Sequence, residues 1–323
     1  MACATTRVIW ALLRKKNMAT ELLGRSTSLD PVVLAEKYVQ EVRRDITQLG
    51  VKLSVVGLIA SDDQPSLAYA KATKRKFDMV GISYDLRQLE RLKVENAINA
   101  ANQNPNVHGI FIYFPVFYNQ HDDYLRNKVD FKKDIEAGST YWTKKIVAND
   151  RMAVSGDESR KAVLPCTSLA IIKILTEIGV YATHTDRPME GKVVSIFNRS
   201  EVIGRPLAVM MSNDGAKVYS FDVNGPLEFM DALPNESSIT REQALLDSDI
   251  VITGVPADSF KKIGCDEIRK GTVCLNFSSV PNFEDAIKTH TDIYIPRIGP
   301  MTVAMCMRNT LRLFTNFHQA SRA

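Results

Sequence analysis

The feature that most constrains this chain is an alternation between two kinds of apolar segment. Short β-branched runs, such as Leu-Ser-Val-Val-Gly-Leu-Ile-Ala at 53–60, stand between longer segments whose apolar residues recur every three or four positions. A run that is apolar throughout reads as a strand buried on both faces, and strands separated by helices read as a parallel sheet covered on both sides. The first helix carries Val32, Ala35, Val39, Val42, Ile46 and Leu49 on one face; Asp30-Pro31 supplies its cap and first turn, and Gly50 its end. The pattern then predicts a strand at 53–60, a helix at 66–80 ending at Gly81, a strand at 82–86, a helix at 94–102 and a strand at 107–114. The stretch 121–163 is polar, mixed in charge and weakly periodic, and predicts a helix followed by a long surface loop. After Pro165 the alternation resumes with a helix at 169–178 and strands at 193–197, 218–222, 250–253 and 273–277, helices lying between them. A last helix at 303–317 follows Gly299-Pro300 and has no strand after it, so it is expected to pack back onto the first domain.

The fold class is therefore α/β in two domains, and 323 residues suffice for two cores at about 150 residues each. The expected division is an N-terminal extension at 1–17, a first domain at 18–163 with the helix 301–323 returned to it, and a second domain at 164–300. The net charge of +4 would point to a nucleic acid or a membrane surface if it were spread over the body. Arg7, Arg14, Lys15 and Lys16 carry all of it, and 37 basic residues then face 37 acidic ones. No nucleic-acid or membrane partner is expected. The basic, acid-free start reads as a mitochondrial presequence or as an upstream start ahead of Met18; the second reading is preferred, with a cytoplasmic protein. Cys3, Cys166, Cys265, Cys274 and Cys306 are odd in number and widely spaced. They predict neither a disulfide framework nor a zinc site, and no metal centre is expected.

One turn carries chemistry. The strand at 193–197 runs into Asn198-Arg199-Ser200-Glu201-Val202-Ile203-Gly204-Arg205-Pro206, and the next strand ends at Asp222, 24 residues after Asn198. In a doubly wound sheet a dinucleotide lies at the carboxyl ends of the strands, its pyrophosphate near a helix start, and an acid at about this offset accepts from the adenosine ribose. Such an acid repels a 2′-phosphate, so the cofactor implied is NAD. The usual glycine fingerprint is missing; Gly204 alone remains, and Asn198 stands where a glycine is expected. The competing reading is a generic α/β domain in which Asp222 is a solvated strand end.

The segments 69–76, 107–116, 133–137, 164–168, 198–206 and 299–310, with the strings Leu164-Pro165-Cys166-Thr167 and Gly299-Pro300-Met301-Thr302-Val303-Ala304-Met305, resemble the methylenetetrahydrofolate dehydrogenase/cyclohydrolase family. Within it the likeness is to the fungal-type monofunctional, NAD-dependent branch. The resemblance implies an N-terminal parallel-sheet αβα catalytic domain, a Rossmann-like NAD-binding domain, a tetrahydrofolate substrate, a folate cleft between the domains and a homodimer. It implies that Arg199 and Ser200 contact the cofactor phosphates and Asp222-Val223 the ribose. Gly254, Val255, Phe277, Ser278 and Ser279 would approach the rest of NAD. Tyr69 would stack on the folate, Pro115 and Pro300 would shape its cleft, and Cys166 would be the catalytic residue. A thiolate is favoured beside a helix start and would stabilise or trap the cation formed; the plainer reading of Cys166 is a small residue lining the cleft.

Three positions depart from the bifunctional pattern. The lysine that serves the cyclohydrolase step, four residues after the tyrosine, is Thr73 here; the strand glutamine is Tyr113, and the second loop aspartate is Glu136. A threonine hydroxyl cannot act as a base near neutral pH, and Lys71 and Lys74 are turned off that helix face. The expectation is a protein that oxidises 5,10-methylenetetrahydrofolate to 5,10-methenyltetrahydrofolate without hydrolysing the product.

Overall fold

The apolar run near residue 55 becomes the central strand of a three-stranded parallel sheet. The computed structural model describes residues 30–291 and 293–319. The expected extension 1–17, Met18 and residues 320–323 lie outside them. Two units are formed: Val32–Ala170 with the segment from Gly299 onward, hereafter the first unit, and Ile171–Ile298, the inserted unit. The first unit opens with α1 (Pro31–Leu49), β1 (Leu53–Ile59), α2 (Gln64–Met79), β2 (Ile82–Gln88), α3 (Val94–Gln103) and β3 (Gly109–Tyr113). Its strands run in the order β2-β1-β3, with Val55 beside Tyr84 and Ile59 beside Tyr113. One sheet face buries Val56, Leu58, Ile110 and Ile112 against Val94, Ile98 and Ala101 of α3.

The stretch 121–163 departs from the expected helix and surface loop. It forms α4 (His121–Lys128) and α5 (Thr140–Val147), and Ile135 and Trp142 are fully buried. Its polarity hid this, because the polar groups find partners within the fold. Lys133 donates to the carbonyls of Ala101, Asn102 and Asn104 at 2.7–2.9 Å, which satisfies the C-terminal end of α3, and Asp134 accepts from the Ser139 N–H at 2.8 Å. The helix α6 (Cys166–Glu177) then starts in the first unit and ends in the inserted one by sequence.

The inserted unit holds β4 (Val193–Phe197), α7 (Gly204–Asn213), β5 (Lys217–Asp222), β6 (Gly225–Met230), β7 (Leu233–Glu236), α8 (Arg241–Asp247), β8 (Ile250–Thr253), β9 (Val273–Asn276), α9 (Ile287–His290) and β10 (Ile293–Ile295). Its seven-stranded sheet has the order β10-β9-β8-β4-β5-β6-β7, parallel from β10 to β5 and antiparallel through the β6–β7 hairpin. The expected strands are present; β6, β7 and β10 are additional. Pro226 and Pro234 argue against strands; Pro234 is tolerated on the edge strand β7, and Pro226 near the start of β6, ahead of the residues that pair with β7. From β4 the chain passes to β5 on one side and later to β8 on the other, so the order reverses between β4 and β8.

The last helix, α10 (Gly299–Leu313), returns to the first unit, where it contacts α2 and β1. The expected break at Gly299-Pro300 is instead its first turn, a position where proline lacks no needed N–H. Among the described residues no helix is long and apolar enough to cross a membrane.

Candidate active site

The reversal between β4 and β8 leaves a crevice at the strand ends, and Asn198 organises it. Its amide donates to the Gly254 carbonyl at 2.8 Å across the reversal point and accepts from the Ser200 N–H at 2.9 Å. Asn198 has a φ of +156°. Gly204, the first residue of α7, packs so closely against it that a Cβ would lie 1.7 Å from the Asn198 carbonyl oxygen. The one glycine kept in this turn therefore lets the helix start approach the strand end, and an added methyl would push it away. On the β8 side a Cβ at Gly254 would meet the Phe277 ring at 1.9 Å. Val255 is held by Asn282 through N–H to Oδ1 at 2.9 Å and Nδ2 to carbonyl at 3.0 Å. Ser278 Oγ donates to the Val255 carbonyl at 3.0 Å, and Ser279 is exposed beside it.

Arg199 is placed differently from the expectation that it contacts phosphates. Its guanidinium reaches along β5, donating to the Ser220 carbonyl at 2.8 Å and to the Asp222 carboxylate at 2.5 Å. Two fixed acceptors outcompete an outward rotamer for its fork of donors. Asp222 also accepts from the Asn224 N–H at 2.7 Å, and Val223 between them is 99% exposed. The end of β5 is thus an acid held in place by two hydrogen bonds with an open surface beside it. Ser200, half-buried in the turn, stays near the helix start, where an anion would meet backbone N–H groups.

The first unit holds a second cluster. Steps of four along α2 place Tyr69, Thr73 and Phe77 on one face. Tyr69 is half-exposed and meets the Tyr113 ring edge-on, centroids 6.1 Å apart. Thr73 is 1% exposed, and its hydroxyl has no hydrogen-bond partner among the described residues. Tyr113 ends β3, and its hydroxyl lies 2.8 Å from that of Tyr84. Burial pushes the Tyr113 phenol up to about 12. The Glu136 carboxyl accepts a long contact from the Ile112 N–H, 3.4 Å, and burial with the neighbouring Asp134 pushes it up to about 8. It therefore keeps its proton at neutral pH.

Cys166 begins α6 beneath this cluster. Its thiol donates to the Ile135 carbonyl at 3.1 Å and accepts from Asn309 Nδ2 at 3.3 Å, while its backbone N–H meets the Glu136 carbonyl at 3.3 Å. Burial pushes the thiol well above its ordinary value, and the adjoining Cys306 and the Glu136 and Asp134 carboxyls add to this. The thiolate expected at a helix start is thereby overturned. The helix end is worth about 1 kcal/mol, and desolvation of a buried anion costs more. Cys166 presents a protonated thiol. Pro115, after a cis peptide bond, lies exposed at the β3 end, and Asp122 shapes the following turn by accepting from the N–H groups of Val116, Phe117 and Tyr118. Pro300 is half-buried in the first turn of α10.

Four organising residues are not apparent in the sequence reading: Tyr84, Asp122, Asn282 and Asn309. Asn309 alone lies in a quoted string, 299–310; it donates to Ile135, Leu164 and Cys166 from the last helix.

These arrangements agree with what the chain is similar to. Residues 29–136 match the model for the tetrahydrofolate dehydrogenase/cyclohydrolase catalytic domain, and 165–318 match that for its NAD(P)-binding domain. The NAD(+)-dependent methylenetetrahydrofolate dehydrogenase of Dictyostelium discoideum is 40% identical over 91% of this chain and 96% of its own. That of Saccharomyces cerevisiae is 38% identical over 81% and 86%. The solved structure of the NAD-dependent 5,10-methylenetetrahydrofolate dehydrogenase from Saccharomyces cerevisiae superposes with a TM-score of 0.84 at 35% identity, covering 90% of this chain and 98% of that one. The two family models together span most of the sequence, and the chain belongs to the tetrahydrofolate dehydrogenase/cyclohydrolase family.

Proposed function

We propose that this chain is an NAD-dependent dehydrogenase that oxidises 5,10-methylenetetrahydrofolate to 5,10-methenyltetrahydrofolate and leaves the product unhydrolysed. The observation that carries the reading is the polarity of the first unit's cluster. Thr73, Tyr113 and Cys166 present neutral hydroxyl and thiol groups, and Glu136 holds its proton. Hydride loss from the methylene carbon needs no base, because the two flanking nitrogens stabilise the cation through their lone pairs. Water addition needs a proton acceptor, and this cluster supplies none at neutral pH. NAD supplies the hydride acceptor. Its site fits the residues present: Asn198 and Gly204 shape a close-packed helix start for the pyrophosphate, and Asp222 stands fixed where ribose hydroxyls would donate. Tyr69 offers a half-exposed ring for stacking the folate, and the chain's task is to align the reactants and exclude water.

The test is a purified sample given 5,10-methylenetetrahydrofolate with NAD or NADP, the methenyl absorbance being followed over time. Rapid turnover with NAD and lasting accumulation of methenyl product are expected. Its prompt decay would show a retained cyclohydrolase. The resemblance also supports a homodimer, which sedimentation would check; the reading of residues ahead of Met18 as an upstream start supports a cytoplasmic location, which a cleaved mature N-terminus would contradict.

A further inference from the structure

Tyr84 belongs to β2, yet its phenol crosses the central strand to reach β3. Glycine at position 57 makes the crossing possible. A Cβ there would lie 2.4 Å from both Cε1 and Oη of Tyr84. The ring is packed against Phe77, centroids 5.0 Å apart, and is 1% exposed. Its backbone is held from α2 as well: the N–H donates to Asp78 at 3.2 Å, and the carbonyl accepts from Lys74 at 2.7 Å. A glycine, an aromatic neighbour and two α2 side chains thus place one hydroxyl 2.8 Å from Tyr113 Oη.

That contact has a direction. Tyr113 is the only hydroxyl partner of Tyr84 among the described residues. If Tyr113 donated, the Tyr84 hydrogen would be buried with no acceptor, at a cost of about 1–3 kcal/mol. Tyr84 therefore donates, and the half-buried Tyr113 must turn its own hydrogen elsewhere. The buried Thr73 hydroxyl lies by the Tyr69 and Tyr113 hydroxyls without a well-formed hydrogen bond to either, and this leaves the group of three hydroxyls as one that a bound molecule would complete.

We propose that Tyr84 is a positioning residue of the folate site: its hydroxyl orients Tyr113 as a hydrogen-bond donor to an acceptor atom of bound folate. The inference rests on the folate reading given above. It is tested by titrating tetrahydrofolate and NAD into wild type, Tyr84→Phe, Tyr113→Phe and the double variant, with melting temperatures as a check on the fold. Each single variant is expected to bind tetrahydrofolate about 3- to 10-fold more weakly, the worth of one hydrogen bond, with NAD binding unmoved. The double variant should bind no more weakly than Tyr113→Phe alone, because Tyr84 acts only through Tyr113. Unchanged binding by Tyr84→Phe, or losses that multiply in the double variant, would overturn the proposal. A wild type that fails to bind tetrahydrofolate overturns both this and the folate reading. One that binds it but does not oxidise the methylene form overturns the dehydrogenase reading alone.

Discussion

At the end of β5 an arginine and an aspartate meet at 2.5 Å, partly open to solvent, whereas in the first unit a half-buried glutamate, desolvated at its carboxyl, and a buried cysteine keep their protons on. The first arrangement keeps a formal charge in a fixed place and can sort ligands by charge. The second removes charge and can only sort by shape and by neutral hydrogen bonds. Choosing between two cofactors that differ by one phosphate calls for the first arrangement, and hydride transfer, which needs no base, is compatible with the second.

The comparison can be broken at its charged side first. Replacing Asp222 with serine takes away the repulsion of a 2′-phosphate and leaves the Arg199 guanidinium without its carboxylate partner. The ratio of kcat/KM for NAD over NADP should fall by about 10- to 100-fold. Unchanged selectivity would mean that the acid does not read the ribose. On the neutral side, Glu136 offers a sign that can be checked. Its folded value of about 8 lies above the ordinary carboxyl value, so the native state holds a proton that the unfolded chain has released. Its contribution is complete below about pH 4.5 and is lost as the pH rises through 8. Melting curves of wild type and Glu136→Gln between pH 5 and 9 should diverge towards alkaline pH, with the variant losing less. Parallel curves would show that the carboxyl is ionised throughout. The smallest effect is expected at Cys166. A protonated thiol that donates to a carbonyl lines the site, so Cys166→Ala should keep turnover within about fivefold while lowering stability by about 1 kcal/mol. A loss of a thousandfold would return the residue to a covalent role.

Much of the fold was legible because burial wrote it into local pattern. The face of α1, the run at β1 and the four parallel strands expected in the inserted unit all show a period within a dozen residues. The segment 129–147 was not legible, since Lys133 and Asp134 look like surface residues until their partners, 29 to 32 residues away for the lysine and in a tight turn for the aspartate, are known. The strand at 193–197 and the helix that follows its turn were legible in place. The partner of Arg199 was missed because it depends on which strands are neighbours. Tyr84 is the sharpest case: alternation in β2 turns it inward, but nothing local says that a glycine on the next strand clears its path. Gly57 itself reads as an ordinary weak point in an apolar run.

The return of α10 to the first unit has a consequence for how the protein is made. The first unit is assembled from Val32–Ala170 and the segment from Gly299 onward, and Ile171–Ile298 is spliced in between them. Asn309, which ties together the carbonyls of Ile135 and Leu164 and the thiol of Cys166, leaves a ribosome only after the whole inserted unit has done so. The inserted unit has all its strands in hand well before that and can close during synthesis. The first unit must wait, with β1 and its neighbours assembled but one face uncovered, until the final helix arrives. A chain cut short after the inserted unit would be expected to keep that unit folded and to leave the first unit unfinished.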